Sequence, residues 1–190
     1  MAKFAISTHL TLGLAWACLA GSVAPSVAAA EDQVLLISTR QLGTRCDPAE
    51  MATGLECRER FAQENTAPQW RPIGWTDVIA SDRPTLFYIH GNRVPRGRDQ
   101  AEGLAVYQRL AQQHPDDRGI RYIIWSWPSE QIRRPVLDYN VKAARTRPVG
   151  WQLAWAINQL PTETPLSVVG YSYGARIATG ALHLLAGGQL

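Results

Sequence analysis

The stretch "LSVVGYSYGARIATGALHLL", residues 166–185, decides how this chain is read. It opens on a short apolar, β-branched run, passes through Gly170-Tyr171-Ser172-Tyr173-Gly174, and continues as an amphipathic run closed by Gly187-Gly188. Strand, sharp turn and helix together lift a serine hydroxyl clear of a sheet. Such a turn holds the serine in a strained conformation, and glycine two before and two after it relieves the crowding. The helix start beneath then offers free N–H groups and a positive dipole end to a developing oxyanion. The plain alternative is a tight strand-to-helix turn with an incidental serine.

Working outward, three more runs have the character of buried strands: "QVLLIST" (33–39), "TLFYIH" (85–90) and "RYIIWSW" (121–127). Helical stretches separate them. Residues 98–114 place Ala101, Leu104, Ala105 and Leu110 near one face, and Pro115 stops the run. Residues 138–160 are helical at both ends, with Pro148 either kinking one helix or starting a second. Residues 173–186 follow the serine. Alternating strands and helices, with strands apolar on both faces, predict an α/β fold: a mostly parallel sheet with helices on both faces. Residues 40–84 read as an irregular excursion with a short helix near "WTDVIAS".

The N-terminus divides off. Lys3 is the only charge before Glu31, residues 10–21 are an apolar core, and Ala28 and Ala30 fit the small-x-small cleavage pattern. A signal peptide over 1–30 is expected, hence export to a periplasmic or extracellular location; an uncleaved membrane anchor is the alternative. Cys18 lacks the surroundings of a lipoprotein cysteine. After cleavage no stable membrane span is expected. The chain then divides into an N-terminal segment with one strand (31–83) and a core (84–190). A net charge of +3 without a dense Lys/Arg run argues against nucleic acid as a partner. Cys46 and Cys57 read as a disulfide closing a short loop, worth about 2–3 kcal/mol, or else as two unpaired thiols. With no histidine nearby they do not suggest a metal site.

"FYIHGNRVPRG", residues 87–97, ends a strand in His90-Gly91 and continues as an arginine-rich loop. Acyl transfer needs two main-chain N–H donors at the carbonyl oxygen, one following the nucleophile and one on a loop after an earlier strand. Tyr173 and Asn92 fit those places, and Gly91 allows close approach. His90, at a strand end before glycine, reads as a hydrogen-bonded brace for the loop rather than a catalytic group. Arg93, Arg96 and Arg98, with Arg133 and Arg134 further on, either steer an anionic substrate or are solvated loop charges.

Together, "FYIHGNR", "IIWSWPSE" (123–130) and "VVGYSYGARIA" resemble the α/β-hydrolase superfamily, and within it bacterial esterase/lipase-like hydrolases with a Trp-Pro-Ser strand end. The resemblance covers roughly residues 84–187. It implies Ser172 as nucleophile, Asn92 and Tyr173 as oxyanion donors, Trp127 near the pocket or in the core, and a small-molecule ester or acyl substrate. Such chemistry requires neither metal nor organic cofactor. One departure stands out. The family order is serine, acid, histidine, yet the eighteen residues after Ser172 hold no Asp or Glu and one histidine, His183. Eleven residues along a helix place it about 16 Å from the serine. The sequence therefore reads as an N-terminal part of a longer hydrolase, nearly inert by itself, or as an exported, non-catalytic binding module keeping the fold.

Overall fold

The computed structural model describes residues 31–63, 66–112 and 119–189. The segment 1–30 expected to be a signal peptide, with Cys18, and also His114 lie outside the described residues. Eleven elements follow in chain order: β1 (Gln33–Ser38), α1 (Pro48–Gly54), β2 (Glu56–Phe61), β3 (Gln69–Pro72), α2 (Trp75–Ile79), β4 (Thr85–Ile89), α3 (Arg98–Ala111), β5 (Arg121–Ser126), α4 (Pro135–Asn158), β6 (Leu166–Gly170) and α5 (Tyr173–Leu185).

The class is α/β, but the sheet is mixed. Its order is β3-β2-β1-β5-β4-β6; β1, β5, β4 and β6 run parallel, while β2 is antiparallel to both β1 and β3. The antiparallel part comes from the segment expected to be irregular. β2, "ECRERF", carries four charged residues and lacks the apolar run that marks the inner strands. It pairs because Arg71 of β3 bonds Glu59 across the ladder and because Cys57 turns into the core opposite Ile37.

The inner strands are apolar on both faces because both faces are covered. Leu35, Ile37, Phe87, Ile89, Ile123 and Trp125 alternate onto the face packed by α4 and α5. Val34, Leu36, Tyr88, Tyr122 and Ile124 point the other way, against Leu104, Tyr107 and Leu110 of α3. Every residue of β5 is buried. β6 forms one edge of the sheet, with Leu166 and Val169 exposed. α4 begins three residues earlier than the sequence suggests and runs 24 residues as one helix with Pro148 inside it. The proline neither ends it nor starts another.

The expected Cys46–Cys57 disulfide is not formed; both thiols are free. Cys57 is sealed in the core, where burial first and then the charge of Glu56 push its thiol up to about 12. Cys46 is exposed, beside the Thr44 and Pro148 carbonyls. Pairing the two would pull one inward side chain out of its packing. No described helix is long and apolar enough to cross a membrane.

Candidate active site

Ser172 is exposed and sits between β6 and α5 with φ 55° and ψ −117°. Side chains rarely adopt such a conformation, which costs on the order of 1–3 kcal/mol and is held only when the surroundings over-determine it. Its flanks do so. A Cβ on Gly174 would lie 2.1 Å from the Ile89 carbonyl oxygen, and one on Gly170 would lie 2.5 Å from the Ala175 nitrogen. The turn thus exists because β6 and α5 press directly on their own backbone and on the end of β4. Although Ser172 occupies the N-cap position of α5, its hydroxyl makes no capping bond.

The loop after β4 closes against this turn. Ile89 pairs with Gly170 at the end of the ladder, Tyr171 N–H donates to the Ile89 carbonyl at 3.0 Å, and Gly91 packs on the Tyr171 ring. The structure therefore brings the His90-Gly91-Asn92 loop and the serine turn together. Among the described residues neither the Asn92 nor the Tyr173 main-chain N–H donates a hydrogen bond. Ser172 shares its positive φ with just one other non-glycine residue among those described: Arg93, at φ 59°, next to Asn92. Among the described non-glycine residues, left-handed backbone falls on these two segments alone.

His90 lies beneath the loop, fully buried. Its Nε2 accepts from the Trp127 N–H at 3.3 Å, so Nδ1 carries the hydrogen and donates to the Gly91 carbonyl at 2.9 Å. Burial, reinforced by Arg40 and opposed by the Gly91 bond, lowers its pKa to about 4. With both nitrogens committed and the ring neutral, His90 braces the loop. Trp127 belongs to the same brace. It is fully buried, stacks on His90 with ring centroids 5.7 Å apart, and donates through Nε1 to the His90 carbonyl. It therefore lines no open pocket.

This brace has a measurable consequence. A histidine whose folded pKa lies below its unfolded value of about 6.5 contributes stability fully above that value and loses it as pH falls toward 4. Urea midpoints for the wild type should therefore drop between pH 6.5 and 4 by the equivalent of at most about 3 kcal/mol. The His90→Gln protein, less stable at pH 7, should show a flatter profile over that window. Parallel profiles would show that His90 is not the titrating group.

Further supports come from residues that carry no local sequence signal. Asp138, fully buried in the first turn of α4, accepts from Arg93 Nε at 2.9 Å, Asn92 Nδ2 at 3.3 Å, the Ile132 N–H at 3.0 Å and Lys142 Nζ at 3.1 Å. Burial alone would raise its pKa; these partners hold the carboxyl far below the usual range. Lys142 also donates to the Glu130 carbonyl, and Arg145 to that of Pro128. Ser129 is sewn to the neighbouring loop: its carbonyl accepts from the Arg93 N–H at 2.8 Å and its hydroxyl donates to the Val94 carbonyl at 3.0 Å. The Trp-Pro-Ser loop is thus a clamp on the Asn92 loop. Asp138 and Lys142 stand four apart on α4, a spacing visible in sequence, but nothing local marks their partners.

The arginines resolve into pairs. Arg93 bonds Asp138 and lies over the Tyr139 ring at 4.9 Å; Arg96 bonds Glu56 and Arg98 bonds Glu102. Three of the five cations suggested for steering are therefore neutralised locally. Arg133 and Arg134 are exposed. His183, on α5, holds the Gln189 carbonyl at 3.1 Å and does not serve the serine. Among the described residues no group of three metal-ligating side chains occurs. No family model, curated protein or solved structure matches this chain.

Proposed function

We propose that the chain carries the nucleophile and oxyanion parts of a serine hydrolase site acting on an ester or related acyl bond, in the manner of the α/β-hydrolases it resembles. One observation carries the reading: an exposed Ser172 held at φ 55° at a helix start, with Gly170 pressed on the α5 backbone and Gly174 on the Ile89 and His90 carbonyls that lead into the loop bearing Asn92. Ser172 Oγ attacks the acyl carbon and loses its proton to a base, while the carbonyl oxygen takes the negative charge facing the Asn92 and Tyr173 N–H groups. The bond to the leaving alcohol breaks as that oxygen gains a proton. Water then adds to the acyl-enzyme, releasing the acid and restoring the serine hydroxyl.

His90 has both nitrogens occupied and His183 is remote, so solvent is the base available among the described residues. That sets the scale: oxyanion binding without a base leaves about 10³ over water, where a full triad gives on the order of 10⁶ more. The 190-residue chain should turn over p-nitrophenyl butyrate at that residual level. Added imidazole should raise the rate and allow an acyl-enzyme to form, and Ser172→Ala should abolish that increase and the acyl-enzyme while leaving the residual rate of oxyanion binding. An equal imidazole response in the two proteins would remove the nucleophile. The same lack of a base favours a second reading, an exported binding module that keeps the fold without catalysis. It predicts no acyl-serine at residue 172 in the mass spectrum, even with imidazole present.

A further inference from the structure

Two cavities open along the furrow between α4 and α5. The first, about 270 Å³, is lined by Thr146, Arg147, Arg176, Thr179, Gly180 and His183. The second, about 340 Å³, is lined by Trp151, Ala154, Trp155, Asn158, Leu184 and Leu185. A Cβ on Gly150 would lie 3.3 Å from the Ile177 carbonyl oxygen and 3.5 Å from the Ala181 nitrogen, so α4 presses on the α5 main chain there. Arg147 and Trp151 stand about one turn apart on α4, roughly 6 Å along its axis, and His183 and Leu184 are neighbours on α5. The cavities therefore follow one another along the helix pair, one cationic and one apolar.

The charge of the first cavity has no counterweight. From Tyr139 onward the chain holds one acid, Glu163, against Lys142, Arg145, Arg147 and Arg176. Lys142 is held by Asp138, and Arg145 donates to the Pro128 carbonyl. Arg147 and Arg176 are exposed, and among the described residues neither joins an ion pair. No carboxylate lines the cavity. The Thr146 and Thr179 hydroxyls donate to carbonyls of their own helices, and His183 Nε2 donates to the Gln189 carbonyl. The two guanidinium groups, one from each helix, are thus the donors an incoming ligand meets. Such planar forks suit a tetrahedral oxyanion, which accepts from both. In the second cavity Trp151 is half-buried yet packs on neither apolar cluster of the core. Trp155 is fixed from behind by Trp75, with ring centroids 5.6 Å apart. Two indoles and two leucines make a wall for hydrocarbon, and a concave furrow seats a single molecule rather than a bilayer surface.

We propose that the α4–α5 furrow binds one anionic amphiphile, with its phosphate or sulfate head between Arg147 and Arg176 and its hydrocarbon along Trp151, Leu184 and Leu185. Binding there requires nothing of Ser172. Calorimetric titration of the 190-residue chain with monomeric decyl phosphate should show one molecule bound. It should bind about tenfold or more tighter than inorganic phosphate or the uncharged decyl maltoside, the scale of a few buried methylenes or one charge-assisted hydrogen bond. Arg147→Gln/Arg176→Gln should weaken decyl phosphate about tenfold or more; both side chains are exposed, so folding is spared. Arg133→Gln/Arg134→Gln makes the same change of net charge on another exposed segment and should leave the affinity unchanged. Trp151→Gln should weaken decyl phosphate and leave inorganic phosphate unaffected. Equal losses in the two arginine variants would reduce the effect to net charge and defeat the site, as would decyl maltoside binding as tightly as decyl phosphate. Binding to phosphatidylglycerol vesicles without binding of monomeric decyl phosphate would also overturn it, in favour of a membrane-facing surface.

Discussion

Arg40→Met should destabilise the protein by about 3–5 kcal/mol, the usual consequence of removing one partner from a buried ion pair. The arginine follows β1, and only 3% of its side chain is exposed. Its guanidinium bonds Ser126 Oγ at 2.7 Å, the Val94 carbonyl at 2.9 Å, Asp99 at 3.2 Å and the carboxylate of Glu130. One planar fork thereby joins the ends of β1 and β5, the loop after β4 and the first turn of α3. Methionine keeps most of the volume and removes every donor. Asp99, itself buried, would then retain its Ser126 and backbone hydrogen bonds without a countercharge.

The acid side of the stability profile gives an independent check. Burial raises the Asp99 pKa, but the Ser126 bond, Arg40 and the Gln100 N–H together bring it below its ordinary value. A carboxyl lowered in the folded state contributes stability above its unfolded pKa of about 3.9 and surrenders it as pH falls further. Arg40→Met should therefore be less stable at pH 7 and lose less between pH 5 and 3. The double variant Arg40→Met/Asp99→Leu should recover part of the deficit, since replacing both partners by apolar groups leaves no orphaned charge. A deficit below about 1 kcal/mol for the single variant would mean that the fork is not a buried hub.

How much of this was legible follows from where the determining contacts lie in sequence. β1, β4 and β5 declare themselves because both faces are buried, so their residues are apolar whichever way they point. The serine turn is legible because its constraint is local: Gly170, Ser172 and Gly174 all belong to one tight bend. β2 is not, because a strand near the sheet edge, half-exposed and cross-linked by Arg71–Glu59, has a polar composition. The Arg40 fork and the Asp138 clamp are hidden for a different reason. Arg40 reaches partners 54 to 90 residues away, and Arg93 meets Asp138 across 45. Nothing within a helical turn of either residue specifies that meeting. The cysteines misled because parity and export say nothing of direction; on β2 the pleat turns Cys57 inward, away from the exposed loop of Cys46. Trp127 was equally open in sequence, since a tryptophan at a strand end suits a pocket wall or a core, and its bond to the His90 carbonyl decides for the core.

Gly174→Val should remove the serine turn rather than merely weaken the fold. The Cβ of any residue at 174 would meet the Ile89 oxygen at 2.1 Å and the His90 oxygen at 2.7 Å, both main-chain atoms that cannot rotate away. Relief requires α5 to back off from β4 by more than an ångström. That breaks the Tyr171 N–H bond to Ile89 and releases the strain at Ser172. Overpacking of this kind costs about 1–3 kcal/mol, and more where only backbone can yield. Gly174→Ala meets the same two oxygens, and the branched side chain adds atoms beyond them. The expected ranking is therefore wild type, then alanine a few kcal/mol below, then valine lower still. Circular dichroism should show that alanine keeps the fold. On the proposed serine hydrolase reading, its Ser172-dependent ester turnover should nevertheless fall about a hundredfold, because a shift of about 1 Å at a nucleophile carries a penalty of that order. Alanine at 174 with wild-type stability and wild-type turnover would show that strand and helix do not meet there, and the geometry assigned to Ser172 would fall with it.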